Sequence, residues 1–493
     1  MENLKEKTTK GLFWGAMNSG ATQLLNLAIG ILLGRLLSPG DWGLVGMLAI
    51  FSAIAGNLQS SGFSTAIVNM KQPRATDYNA VFWFNILMSM AIYALLFTAA
   101  PLIAWFFNEP KLTSLARLMF LSFLISSFGI STNAYMTKNM MNREITIVNF
   151  VALVVSGGVA VTLAALGKEY WSIAWQQIVN SLVLVLGRFW FVEWKPRLAF
   201  DFSPIRRTFR FSMNILGTMI INTLNANLLT FVFGKIYGRN VTGNFFQAYK
   251  WDSMAFSTVG GMLEQVAQPV MVSARDDNDP QREIRIFRKL TRFAAFLAFP
   301  AMFGLALVAK EFIVIALTDK WIDSVLPLQL LCVSGAFMPL YSLYKNLIIS
   351  QRRSDINLWL NIGQVVLQLL VIVAFRRAGF IAMVAAWSAF NILWLIAWHY
   401  YARRLIGVRF IDTLRDICPF MLAALGVMVL TWFCTLPIKN IYVLLPVRIV
   451  LAAALYFGIM KIAGAVILEE CLAFVSSKFK KHINEDICNH THL

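Results

Sequence analysis

The sequence predicts an all-α polytopic membrane protein with about fourteen transmembrane helices. Three observations predict it. The chain is 58% hydrophobic and only 14% charged over 493 residues, more apolar surface than one soluble core could hide. Its apolar residues come in blocks of about twenty or more, enough to cross about 30 Å of hydrocarbon at about 1.5 Å per residue. The blocks lack the alternation of a lipid-facing barrel, and only helices or closed barrels satisfy the backbone in lipid.

The first span, 12–35, follows the polar start MENLKEKTTK and outruns a signal-peptide core, so it reads as an uncleaved helix. Spans at 42–68, 79–107, 112–136, 145–166 and 170–192 follow, separated by short polar breaks. The segment 192–208, with Pro196 and Pro204, reads as a linker. Beyond it lie 208–234, 243–271, 290–317, 325–349, 355–376 and 379–402, then 416–435 and 441–467. These blocks give an N-terminal six-helix lobe (1–195), a C-terminal six-helix lobe (205–405), two additional transmembrane helices (412–470) and a tail (471–493).

An even number of spans returns both termini to one side, and the basic residues choose it. Lys5, Lys7, Lys71, Arg143, Arg206, Arg282, Arg353, Arg403 and Lys480 all fall on the side of the termini. Arg35, Lys111, Lys168, Lys235, Lys320 and Lys439 fall opposite, and the bias is roughly three to one. Both termini are therefore expected in the cytoplasm.

Weak echoes link the lobes. Gly34-Arg35 with Gly43 is matched by Gly234-Lys235 with Gly243, and Arg143-Glu144-Ile145 by Arg353-Ser354-Asp355-Ile356. Parallel repeats of this kind are frequent in transporters.

The net charge of +18 could suggest nucleic acid, but the basic residues are scattered over short loops and act as topology signals. No nucleic-acid partner is expected. No phosphate-cradling loop, HExxH or nucleophile elbow is present, so neither an enzyme nor a cofactor is indicated. His482, Cys488, His490 and His492 match no standard zinc spacing and read as a solvated tail. Five cysteines give no disulfide framework.

Polar groups inside the spans carry the information, because each is unfavourable unless it faces protein or water. Asn18, Thr22 and Asn26 recur every four residues and share a helix face. So do Asn214, Thr218 and Asn222, with Asn225 beside them. Interhelical hydrogen bonding and cavity lining are both open to them. Cations also lie in the spans or at their ends: Lys250 is too deep for easy snorkelling, Arg117, Lys345 and Arg448 lie within helices, and snorkelling is the alternative for Arg35, Lys310 and Lys461. Glu264 is the clearest intramembrane carboxylate, so cations outnumber anions and an anionic substrate is favoured. The candidate substrate-binding residues are Lys250, Arg117, Arg35, Asn18, Asn26, Asn214, Asn222 and Asn225.

The runs Gly11-Leu-Phe-Trp14, Leu32-Leu-Gly-Arg-Leu-Leu-Ser-Pro39 and Asp41-Trp-Gly43 resemble the opening of the Wzx-type oligosaccharide flippases, especially the colanic-acid-exporter-like group. The stretch Pro101 to Pro110, the segment Gly243 to Lys250, Pro269, Asp276-Asp277 and Lys320-Trp321 agree with it. The resemblance covers roughly residues 1–375. It implies two six-helix lobes around a central cavity, plus two C-terminal helices. It also implies a lipid-linked oligosaccharide on undecaprenyl pyrophosphate, flipped from the cytoplasmic to the outer leaflet. Lys250 falls where peptidoglycan-precursor flippases carry an arginine. Expected partners are that substrate, membrane lipids, a glycan polymerase and glycosyltransferases, and a coupling ion, H+ or Na+. The competing readings are a multidrug exporter on the same scaffold and a membrane glycan polymerase or ligase, which the short external loops disfavour.

Overall fold

The computed structural model describes residues 2–60, 67–197, 203–276, 279–465 and 467–469. Among them the secondary structure is helical and no strand occurs. The helices are α1 (Glu2–Leu36), α2 (Pro39–Ser60), α3 (Ala75–Phe107), α4 (Lys111–Ser127), α5 (Ile130–Lys138), α6 (Asn142–Ala165), α7 (Trp171–Phe191) and α8 (Ser203–Asp276). Next come α9 (Pro280–Leu307), α10 (Ala309–Leu317), α11 (Val325–Gly335), α12 (Met338–Ser350) and α13 (Ser354–Phe375). The last are α14 (Phe380–Ile406), α15 (Phe410–Thr435) and α16 (Ile441–Ile462).

Among the described residues, ten stretches are long and apolar enough to cross a membrane, or eleven if α4 and α5, bent by 44°, form one span. Leu216–Leu263 is one of these stretches, although Gly238 at φ 75 breaks α8 within it. Neither α1 nor α7 is among the ten. Those three account for the difference from fourteen.

Helix ends follow local chemistry. The Asp279 carboxylate accepts from the N–H groups of Gln281 (3.0 Å) and Arg282 (3.1 Å), and Pro280 opens α9 with a pre-set φ. The Asn440 side chain caps α16 through Tyr442 N–H at 3.0 Å. Asn108 at φ 56 and Gly407 at φ 78 end α3 and α14 in the left-handed conformation.

The chain divides into two compact units. One comprises Met1–Gln247, Ala316–Asp323 and Asn361–Ile372; the other comprises Ala248–Ile315, Ser324–Leu360 and Val373–Leu493. In the first, α6 packs on α1 and α7, and α4 packs on α3 and α7. Small residues permit the close approach: an ideal Cβ on Gly157 would lie 2.3 Å from Ile29, and one on Gly187 would lie 2.9 Å from Val148. In the second, α9 packs on α15, α11 on α14, and α15 on α16. Large apolar side chains such as Trp105, Trp190 and Ile462 stay exposed, as expected where lipid is the solvent.

Candidate functional site

In the first unit, Arg35 closes the end of α1. Its Nε donates to Ala316 O at 2.8 Å. Lys320 Nζ donates back to Arg35 O at 2.6 Å, and Trp321 Nε1 donates to Gly34 O at 2.8 Å. Those bonds satisfy carbonyls left open at a helix C-terminus. Gly34 lets the Leu317 side chain pack close there, since an ideal Cβ would lie 2.4 Å from its Cδ2 and push it aside.

The asparagines divide between roles. Asn149 Nδ2 donates to Asn18 Oδ1 at 3.3 Å, an α6–α1 hydrogen bond of the interhelical kind. Asn225 Nδ2 donates to Asn361 O at 3.2 Å, while its Oδ1 is buried without a hydrogen bond. Asn26 and Asn222 are half-buried. The Asn214 and Glu264 side chains lie outside the described residues, as does the tail with His482, Cys488, His490 and His492. Among the described residues no cluster of metal-ligating side chains occurs. Asn57, not singled out in the sequence, donates to Thr223 Oγ1 at 2.6 Å and ties α2 to α8.

Arg117 is half-buried on α4. Its guanidinium lies 4.3 Å from the centre of the Phe97 ring, and Nε is 3.5 Å from Phe97 O. It lines an open cavity of about 450 Å3 with Tyr93, Thr113, Ser114 and Trp171.

In the second unit, Lys250 is half-buried, with Nζ 5.2 Å from the Trp251 ring centre. Trp251 packs edge-on against Phe312 at 5.2 Å. The adjacent carboxylate turns elsewhere. Asp252 accepts a hydrogen bond from the Cys332 thiol and sits 2.5 Å from where a Cβ on Gly335 would be. An Asp252 pairing with Lys250, open from the sequence alone, gives way to this packing because residues two positions apart on a helix point to opposite faces.

Two ionic contacts went unread in the sequence. Arg448 Nη1 meets Glu311 Oε1 at 2.8 Å, with both side chains below 10% exposed. Arg448 Nε also donates to Thr435 Oγ1 at 3.1 Å, and Nη1 to Leu307 O at 3.3 Å. This anchors α16 to α10, α9 and α15. Arg448 edges an apolar cavity of about 510 Å3 that includes Phe296, Pro300, Met428 and Tyr456.

The second contact engages two members of a basic row. The helical spacing of Arg282, Arg285, Arg288, Lys289 and Arg292 suggests a row lying against the anionic leaflet. Two members of the row turn inward: Arg288 Nε and Nη2 clamp Asp416 at 2.7 and 3.1 Å, and Arg292 Nε lies 3.3 Å from the same carboxylate. Arg285 turns back to Asp279 at 3.3 Å. A buried carboxylate on α15 recruits two arginines that would otherwise point outward.

The comparisons with known proteins agree with this architecture. The lipopolysaccharide biosynthesis protein WzxC of Escherichia coli strain K12 is 26% identical over 368 residues, covering 73% of each chain. The teichuronic acid biosynthesis protein TuaB of Bacillus subtilis strain 168 is 23% identical over 410 residues, covering 81% of this chain and 84% of that one. The solved lipid II flippase MurJ, in an inward closed conformation, matches with a TM-score of 0.74 at 13% identity. That match covers 94% of this chain and 100% of that one, and at such identity it speaks to fold alone. A family described as polysaccharide biosynthesis protein matches residues 32–326, more than half of the sequence. The chain belongs to the polysaccharide biosynthesis protein family and has a flippase-like membrane fold.

Proposed function

We propose that this chain is a flippase carrying an undecaprenyl-pyrophosphate-linked oligosaccharide from the cytoplasmic to the outer leaflet of a bacterial inner membrane, for surface polysaccharide assembly. The observation that carries the reading is the coincidence of family and fold. A polysaccharide biosynthesis match lies on a chain that follows a lipid II flippase over 94% of its length. The protein is a transporter and not an enzyme, and both termini face the cytoplasm. Reporter fusions after residues 200 and 280 should report cytoplasm, and fusions near residues 168 and 438 the outside.

Each part of such a substrate has a chemical counterpart in the chain. A pyrophosphate needs cations, and Lys250 supplies one inside a span, beside aromatic side chains. Sugars need amides, which Asn26, Asn222 and Asn225 supply. The lipid tail stays in hydrocarbon or lies along the apolar groove beside Met428 and Tyr456. A gradient of H+ or Na+, or the membrane potential itself at about 2.3 kcal/mol per charge per 100 mV, supplies the energy.

The test is complementation of a strain lacking the gene, reading surface glycan and lipid-linked oligosaccharide retained on the cytoplasmic face. Lys250→Arg should retain most export, Lys250→Ala should reduce it sharply, and Lys250→Glu should be worse because it repels the phosphates. Loss of one partner of a charge-assisted contact corresponds to about 2–5 kcal/mol. Normal export by Lys250→Glu at normal abundance would remove Lys250 from the anion site. A deletion strain that keeps its surface glycan but loses drug efflux would replace the flippase reading with that of a multidrug exporter.

A further inference from the structure

Arg117 poses a problem that transport does not solve. It sits within the α4–α5 span, and among the described residues no carboxylate pairs with it. The carboxylate of Glu169 faces Lys111 at 3.9 Å instead. A guanidinium at such a position needs water or an anion to balance it. Its surroundings reach the protein surface: Phe97, whose ring it faces, is 39% exposed, and Ser114 on the cavity wall is exposed.

We propose that the cavity around Arg117 binds the phosphodiester of an anionic glycerophospholipid. Phe97 covers one face of the guanidinium, and the planar fork matches phosphate oxygens two at a time. Thr113 and Ser114 stand one turn away, at helical spacings that place their hydroxyls beside Arg117 on the same cavity wall. Trp171 lines the same cavity, and its neighbour Tyr170 packs under Lys111, with Nζ 5.4 Å from the ring centre. Such an aromatic belt marks headgroup level. A phosphate held by Arg117 would leave its acyl chains along the exposed face of α3. This inference depends on the membrane-spanning fold and not on the substrate of transport.

Native mass spectrometry of the full-length protein in detergent, titrated with dioleoylphosphatidylglycerol or dioleoylphosphatidylethanolamine, tests it. The unaltered protein should retain one phosphatidylglycerol in preference to phosphatidylethanolamine. Arg117→Gln should weaken that retention by about tenfold, and Arg117→Lys by less. Ser114→Trp, which fills the cavity from an exposed position and keeps the arginine, should abolish retention without lowering the melting temperature measured in detergent alone. Should Arg117→Gln fold poorly, Ser114→Trp decides by itself. Undiminished retention by both variants would overturn the proposal. Displacement of phosphatidylglycerol by undecaprenyl pyrophosphate at lower concentration than by phosphatidylglycerol itself would also overturn it, assigning the cavity to the carrier.

Discussion

Two regions hold their helices together by opposite means. Where α2 meets α8 just after its break, the contact is backbone on backbone. An ideal Cβ on Gly43 would lie 1.8 Å from Arg239 O, and one on Gly243 would lie 1.8 Å from Pro39 O and 2.9 Å from Gly43 N. Where α15 and α16 join the rest of the second unit, the contacts are charged side chains, Arg448 on Glu311 and Arg288 with Arg292 on Asp416. The glycine contact lies inside the family match at 32–326, and the helices α15 and α16 lie beyond it. Glycine packing fixes a distance and tolerates nothing larger. Ion pairing in lipid fixes partners, and its strength depends on how dry the pair is.

The comparison breaks most decisively at Glu311. Glu311→Ala strands a buried arginine and should destabilise the protein by about 3–5 kcal/mol, with Glu311→Gln milder because an acceptor remains. Thermal melting in detergent reads both, and an unchanged melting temperature for the alanine variant would show that the pair does not anchor α16. Gly43→Ala or Gly243→Ala should come next, at about 1–3 kcal/mol or more, since the obstruction is main chain and cannot rotate away. Combining them should add little, because one displacement relieves both.

Asp416→Asn should be smaller, at about 1 kcal/mol, because Arg292 is 42% exposed and solvent screens it. Raising the salt should shrink this effect while leaving that of Glu311→Ala nearly intact. An equal salt response would show that both pairs are equally wet. Smallest of all is Gly56→Ala in α2, where a Cβ meets nothing within 4 Å. It should be neutral or stabilising by under about 1 kcal/mol; marked destabilisation would mean that glycines in α2 matter for a reason other than space.

The spans were legible because lipid imposes one rule on every helix, and Gly238 breaks α8 between the two predicted segments 208–234 and 243–271. The Gly43 and Gly243 echoes were legible too, although as signs of repetition and not as partners. Partnership across long separations was not. Glu311 lies next to Lys310 near a helix end, where a carboxylate reads as interfacial, and its partner is 137 residues away. Asp416 was masked in the same way by Arg415 beside it. Periodicity reports the face on which a residue lies, not which residue it meets. Asn18 shows the same limit, since nothing in its spacing distinguishes a bond to Asn149 from a view of a cavity.

The reciprocal seat of Gly43 and Gly243 also bears on how such a chain can diverge. A carbonyl oxygen is the same whatever side chain its residue carries. Mutational drift at Pro39 or Arg239, whose main chains form the seat, therefore leaves the opposing surface unchanged so long as the helices keep their course. Two positions at the junction, Gly43 and Gly243, admit no added atom because main chain stands where a Cβ would go. A joint of this kind can outlast extensive sequence turnover, because what it recognises is not encoded in side chains at all.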